Sequence, residues 1–160
     1  MNWLIKANIA AMMLLISLVI ASCAGAFDQG YKYVDEPLQE YVRDYHNLVK
    51  YHCPKLYISP HYSITFAKKL EKKTWVGVCT KYMSRYNIKI LQSFWETSNP
   101  VERRQLMYHE LSHCILDRDH EEKLPGHYMY PSIEYVPYEV YIQQTIDDIE
   151  SYCKRLKWKT

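Results

Sequence analysis

The stretch that could do chemistry runs from His109 to His120 and has the sequence HELSHCILDRDH, with three of the chain's seven histidines. His109 and His113 are four residues apart, which places both imidazoles on one face of a helix. Glu110 lies next to that face. In a motif of this kind two histidines bind zinc and the glutamate acts as a general base. The sequence therefore predicts a zinc site with hydrolytic chemistry.

A catalytic zinc ion has three protein ligands and one open position, so a third ligand must come from outside this pair. His120 lies seven residues after His113. To reach the metal, the helix must stop near Leu116 and the chain must turn back. Asp117 or Asp119 could provide the turn, because aspartate tolerates the left-handed conformation better than most residues. We expect His120 to be the third ligand, and three alternatives follow it: Asp119, His127 and Glu139.

A strongly marked helix must carry the two histidines. Asn99 suits the N-cap, Pro100 the first helical position, and Glu102 the third, where it completes a capping box. We expect this helix to end at about Leu116.

The other predicted elements surround this helix. An opening helix follows Pro37 and ends near His52, because Pro54 disfavours helix in the residue before it. Three segments have strand-like patterns, and a closing helix begins near Pro137 after a loop. The predicted fold class is α+β, a small mixed sheet packed on the HExxH zinc helix with an opening and a closing helix. The three strand segments are residues 62–67, 75–80 and 86–91.

Residues 1–22 are predicted to be a secretory signal peptide, because a short segment with one charge, on Lys6, precedes a mostly apolar run. Ile20–Cys23, IASC, resembles the lipobox of bacterial lipoproteins, in which the peptidase cuts before a cysteine that becomes lipidated. This resemblance implies a lipid anchor on Cys23 and a place in the cell envelope, periplasmic or at the cell surface. Cleavage after Ala26 and an uncleaved membrane anchor are the alternatives. Residues 23–34 are then a linker, and residues 35–160 a single domain.

The charge balance excludes one class of partner. Without Lys6 the chain has 19 basic and 18 acidic residues, from totals of 20 and 18. Nucleic-acid binding needs a strongly basic face, so we expect no nucleic-acid partner.

Four cysteines remain after Cys23, and an even number in an exported chain predicts two disulfides. The alternative is four buried free thiols. The sequence alone leaves three connectivities open. The four are Cys53, Cys79, Cys114 and Cys153.

The zinc motif resembles that of the metzincin peptidases, which is H-E-x-x-H-x-x-G-x-x-H followed by a methionine turn. Leu116 stands where that family has its glycine, and the distance to His120 is one residue longer. Asp119 therefore occupies the register of the family's third ligand. The segment Tyr128–Ser132, YMYPS, resembles the methionine turn, which implies that Met129 lies beneath the zinc.

The chain is more similar to a group of small zinc metallopeptidases of bacteria and phage. The similarity covers about residues 35–135 and includes Gly77-Val78-Cys79, the zinc motif and Met129-Tyr130-Pro131. In that group the third histidine has the longer spacing, which favours His120. The resemblance also implies peptidase chemistry and a disulfide between Cys79 and Cys114.

These observations together predict an exported, zinc-dependent metallopeptidase. Zn²⁺ bound by His109, His113 and His120 would activate a water molecule, and Glu110 would act as the general base on a peptide or protein substrate. One alternative is a zinc amidase acting on cell-wall material. Another is a non-catalytic envelope lipoprotein that binds a protein partner through its tyrosine-rich surface.

Overall fold

The computed structural model describes residues 32–133 and 136–157. The predictions made for the signal peptide and for lipidation of Cys23 fall outside these residues. None of the helices within the described ranges has the length and apolarity needed to span a membrane.

The described residues form an α+β fold, as predicted, with one four-stranded sheet and four α-helices. The strands are β1 (Lys32–Val34), β2 (Tyr62–Ala67), β3 (Gly77–Tyr82) and β4 (Arg85–Leu91). The helices are α1 (Gln39–His52), α2 (Gln92–Thr97), α3 (Pro100–Leu116) and α4 (Tyr138–Lys157). A 3₁₀ turn (Glu36–Leu38) precedes α1.

The sheet has the order β1-β2-β4-β3 and is mixed. β1, β2 and β4 are parallel, whereas β3 is antiparallel to β4 and forms one edge. Ile64 of β2 and Ile88 of β4 are in register and fully buried, while Lys89 is exposed. This alternation means that one face of the sheet packs against the helices.

The core lies between that face and the helices α1, α3 and α4. Two disulfides tie these layers together, Cys53–Cys153 between the end of α1 and α4, and Cys79–Cys114 between β3 and α3. The predicted number of disulfides and the pairing implied by the resemblance are both confirmed. The fully buried core residues include Leu38, Tyr45, Val49, Leu106, Met107, Leu111 and Ile149.

Three local features differ from the sequence prediction. Residues 32–34, expected as the end of a linker, form β1, and within the described ranges its one partner is the distant β2. β3 begins at Gly77, two residues later than predicted, although the Leu91 N–H still donates to the Val76 carbonyl (2.8 Å). The short helix α2 was not predicted, because six residues are too few to show helical periodicity.

Candidate metal centre

The helix α3 holds its register through the predicted capping box. The Asn99 side chain accepts hydrogen bonds from the N–H groups of Val101 (2.8 Å) and Glu102 (3.1 Å), and the Glu102 side chain accepts one from the Asn99 N–H (2.9 Å). The helix is then buried without a break from Gln105 to Ser112. His109 and Glu110 therefore lie inside the protein, although both are polar.

A left-handed residue ends α3 and turns the chain back. Asp117 has φ 55° and ψ 37°, so it provides the turn that the sequence assigned to Asp117 or Asp119. Its carboxylate bonds Lys81 Nζ of β3 at 2.8 Å. The turn returns the following residues to the face of α3 that carries His109 and His113.

Three imidazoles converge at this point. His109 Nε2 lies 3.0 Å from His113 Nε2 and 3.2 Å from His120 Nε2. Within the described ranges these histidines are the one group of three potential metal ligands that comes together. The alternative ligands Asp119, His127 and Glu139 are not members of this group.

The other ring nitrogens of two of these histidines bind backbone carbonyls. His109 Nδ1 donates to the Tyr128 carbonyl (2.8 Å), and His113 Nδ1 donates to the Arg118 carbonyl (2.5 Å). A carbonyl can only accept, so both Nδ1 atoms carry a proton. Burial lowers the pKa of His109 to about 3 and lowers the pKa of His113 as well, so both rings are neutral near pH 7. Each Nε2 then presents a lone pair.

Two lone pairs that face each other at 3.0 Å cannot form a hydrogen bond, but they can both bind a cation. Two imidazole nitrogens held at about 2.0–2.1 Å from one tetrahedral zinc ion lie roughly 3.3 Å apart. The observed spacings of 3.0 and 3.2 Å are close to this value. Backbone carbonyls that accept from the second ring nitrogen are also the usual support of metal-binding histidines. The three residues therefore fit a metal ion.

Glu110 lies between α3 and the edge strand β3. It is only 4% exposed, and it accepts a hydrogen bond from the backbone N–H of Cys79. Burial raises the pKa of its carboxyl group to about 8. A Cβ atom added at Gly77 would lie 2.5 Å from Glu110 Oε1, so only glycine lets the strand approach the carboxylate this closely.

A cleft of about 970 Å³ contains these groups. The edge strand β3 and the residues before it form one wall, and α3 with the turn after it forms another. His109, Glu110, His113 and His120 all line the cleft, as do Trp75 and Tyr130. The volume is in the range of small-molecule and substrate sites.

The carboxylate of Asp148 bonds both residues whose carbonyls accept from His109 and His113. Asp148 of α4 accepts from Arg118 Nε (2.9 Å) and from the Tyr128 hydroxyl (2.8 Å). Arg118 and Tyr128 are the two residues whose carbonyls orient His113 and His109. Asp148 therefore connects to both of these ligands through a single residue each.

The segment that resembles a methionine turn is fixed by burial and by backbone hydrogen bonds of Met129. Met129 is fully buried, its N–H donates to His127 Nδ1 (3.1 Å), and its carbonyl accepts from the Glu121 N–H (2.9 Å). The carbonyl of the preceding residue, Tyr128, is the one that orients His109. The Tyr128 side chain is buried and does not line the cleft, whereas Tyr130 does.

The sequence did not indicate the contributions of four residues to this site. Gly77 was noted only as part of a pattern, and its contact with Glu110 depends on how β3 packs against α3. The Tyr128 and Arg118 carbonyls have no side-chain signature. Asp148 is far from the zinc motif in sequence and belongs to a helix that showed only an apolar stripe.

Comparison with known proteins gives one match. A family model described as "Putative phage metallopeptidase" matches residues 33–137, which include most of β1, the strands β2–β4, the helices α1–α3 and all three histidines. The match ends before α4, so it does not include Asp148. No curated protein and no solved structure matches the chain.

Proposed function

The chain belongs to this phage metallopeptidase family, and on that premise we propose that it is an exported, zinc-dependent peptidase. The observation that carries the proposal is the convergence of three imidazole nitrogens beside a buried glutamate in one open cleft. A structural zinc site usually has four protein ligands, whereas a catalytic site has three. All four cysteines of the described residues are in disulfides, so no thiolate is available as a fourth ligand.

His109, His113 and His120 would hold the metal ion. Three neutral imidazoles are ligands that zinc prefers, although other transition metals also accept them. When bound, zinc supplies Lewis acidity, which polarises a carbonyl group and lowers the pKa of water. The carbonyls of Tyr128 and Arg118 fix the rings of His109 and His113 in the tautomer that this role requires.

Glu110 would transfer the protons. Burial favours the neutral form of its carboxyl group and raises its pKa, whereas a cation held by the neighbouring histidines would lower that pKa again. A group whose pKa lies near the working pH can take a proton from water and later give it to the leaving amine. Glu110 is thus suited to both proton transfers of amide hydrolysis.

The edge strand β3 suits an extended peptide as the substrate. One side of β3 pairs with β4, and the other side has no strand partner among the described residues. Peptides bind such edges by adding a strand, with main-chain hydrogen bonds that do not depend on sequence. Gly77 places the backbone of β3 directly against Glu110, so a peptide paired with β3 would lie beside the base.

We propose from residues 1–23 that the protein is exported and anchored to the membrane. The predicted signal peptide and the lipobox-like IASC favour export and a lipid anchor on Cys23. The two disulfides support export, because disulfides persist mainly in oxidising compartments. The partners would then be a peptide or protein substrate and, through the anchor, the membrane.

The experiment that tests the proposal compares three samples of the full-length protein on a broad peptide library. One sample is loaded with zinc, one is stripped with a chelator, and one is stripped and reloaded. We expect new peptide termini with the loaded and the reloaded samples only. Cleavage that is equal in the stripped sample, or no cleavage by the loaded protein, would contradict the proposal.

A further inference from the structure

The strands β1, β2 and β4 begin at one end of the described fold, and the helices α1 and α4 end there. Lys32 of β1 is in register with Tyr62 of β2, which is in register with Tyr86 of β4, so these parallel strands all begin at this end. α1 ends immediately before the loop that leads into β2. The Cys53–Cys153 disulfide holds the last turns of α4 at the same place.

This end is basic. In the segments 50–62, 81–86 and 150–156 the one carboxylate is Glu150, and it bonds His52 at 3.0 Å. Lys81 is paired with Asp117. The other cations form no ion pair with any residue of the described ranges. We call the surface formed by these exposed cations the basic end. Its residues are Lys32, Lys50, Lys55, Arg85, Lys154 and Arg155.

The most exposed large hydrophobic side chains lie at the same end. Eight such side chains are exposed in the described residues, and the four with the highest exposure all belong here. Tyr51 (82%) is in the last turn of α1, Tyr57 (76%) is in the following loop, and Tyr82 (75%) and Met83 (87%) are at the tip of the β3–β4 hairpin. Single exposed hydrophobic residues are common on protein surfaces, whereas a cluster of them marks an interaction site. The clustering of these four side chains therefore indicates a binding surface.

The hairpin tip is built to expose its methionine. Met83 has φ 54° in a two-residue turn, a position that glycine or asparagine adopts at lower cost. The loop that carries Tyr57 is joined to this tip, because the Ser59 hydroxyl donates to the Ser84 carbonyl (2.5 Å). Tyr57, Tyr82 and Met83 therefore belong to one continuous surface.

We propose that the basic end and these four side chains lie on an anionic lipid bilayer. Lysine and arginine near a membrane are attracted to anionic headgroups, and tyrosine rings are enriched at the membrane–water interface. The chain also enters β1 at this end. Cys23 is nine residues before Lys32, a distance that the chain can span over at most roughly 30 Å, so an anchor at Cys23 would bring this end to the bilayer.

This orientation would place the candidate metal centre close to the membrane. β3 runs along the cleft from Gly77 to the tip at Tyr82, a length of roughly 20 Å for a strand of this size. Peptides close to the membrane surface would then be the substrates within reach.

A tyrosine footprint of the full-length protein tests the orientation. Nitration by tetranitromethane is measured tyrosine by tyrosine in solution, with phosphatidylcholine vesicles, and with vesicles that also contain phosphatidylglycerol. A footprint is needed because the hydrophobic N-terminal segment could attach the protein to either vesicle. Tyr138 is the internal control. It is 43% exposed and lies fifteen residues before Cys153 on α4, about 22 Å along the helix axis.

With anionic vesicles, nitration of Tyr51, Tyr57 and Tyr82 should fall at least about threefold, because tetranitromethane attacks the phenolate and the membrane interface disfavours this charged form. Tyr138 should be unaffected. The protection should weaken in about 0.5 M sodium chloride, where the Debye length is roughly 4 Å. Equal protection of Tyr138, equal protection by neutral vesicles, or protection by the soluble polyanion heparin and not by vesicles would overturn the proposal.

A pair of charge variants makes the test independent of the anchor. Lys50→Glu with Lys154→Glu reverses two charges at the basic end and should abolish the footprint. Lys68→Glu with Lys69→Glu makes the same change directly after β2, at the opposite end of the sheet, and should keep it. Peptidase activity in solution should be unaffected by either pair, so failure of this proposal is distinguishable from failure of the proposed function. The reverse pattern of protection in the two variants would contradict the proposed surface.

Discussion

Gly77 and Glu110 share a space that has no room for another atom, since a Cβ on Gly77 would lie 2.5 Å from Glu110 Oε1 and 2.9 Å from its Cδ. The carboxylate is confined between α3 and the backbone of the edge strand. Its position therefore depends on a residue in another element of the fold.

This contact predicts the effect of Gly77→Ala. The added methyl group must displace Glu110 or β3, and a displacement of about 1 Å in a catalytic group can cost roughly 10²-fold in rate. We expect peptide cleavage to fall by about that factor while the zinc content is unchanged. The measurement is kcat/KM on a peptide substrate, with zinc quantified in the same sample.

Gly126→Ala is the matched control for this variant. Gly126 has φ +80°, and nothing lies within 4 Å of an added Cβ. The substitution should lower the free energy of unfolding by about 1 kcal/mol, since alanine disfavours this conformation. It should leave cleavage nearly unchanged. A similar loss of activity in both variants would contradict the role of the Gly77 contact.

The three histidines, unlike Gly77, should determine how much zinc the protein binds. His109→Ala, His113→Ala and His120→Ala should each abolish zinc binding, because each removes one of three converging nitrogens. Asp119→Ala should keep nearly all the zinc, since Asp119 is exposed and outside the group. Zinc per chain after dialysis is the measurement. Retention in the His120 variant together with loss in the Asp119 variant would show that the third ligand is Asp119.

Asp148 should affect zinc affinity without touching the metal ligands. Asp148→Asn weakens the bonds to Arg118 and to the Tyr128 hydroxyl, and the carbonyls of these two residues orient His113 and His109. Loss of such support typically costs about 10–100-fold in metal affinity. The zinc dissociation constant is measured by competition with a chelator. Asp147→Asn, at the exposed neighbouring position, is the control, and equal affinities in the two variants would refute the prediction.

His46 should make stability dependent on pH. Burial, assisted by the charge of Lys32, lowers the pKa of its imidazole from 6.5 to about 4. The folded state therefore disfavours the protonated ring. This contribution is fully present above about pH 6.5 and is lost as the pH falls towards 4, with a maximum of about 3 kcal/mol.

His46→Phe removes the titrating group and keeps a ring against Tyr62, whose centroid is 5.7 Å from that of His46. The free energy of unfolding of the zinc-loaded protein is measured from pH 7.5 to pH 4.5. The wild type should lose more stability over this range than the variant does. Parallel curves for the two proteins would rule out this role of His46.

What could be predicted from the sequence was mainly local. The capping box of α3 is encoded within four residues, Asn99–Glu102, and it formed as expected. The spacing of His109 and His113 depends only on helix geometry, and the left-handed turn needed a residue such as Asp117. The strands β2 and β4 were predicted from the strand-like patterns of the residues that form them.

The remaining parts depend on contacts between distant segments. β1 is a strand only because β2 supplies its hydrogen bonds. The Tyr128 and Arg118 carbonyls become ligand supports only after the chain folds, and Asp148 reaches them from a helix that begins after the matched family region. Periodicity and spacing contain no information on such contacts.

We propose that Glu110 transfers protons during peptide hydrolysis and that it is not itself a ligand of the metal ion. Glu110→Gln keeps the size and the helix propensity of the side chain but removes the base. We predict that zinc content and melting temperature stay near those of the wild type, while peptide cleavage by the zinc-loaded protein falls by about 10²–10⁴-fold, the usual contribution of a positioned general base. Cleavage by the glutamine variant at the wild-type rate, with zinc bound, would contradict this role of Glu110.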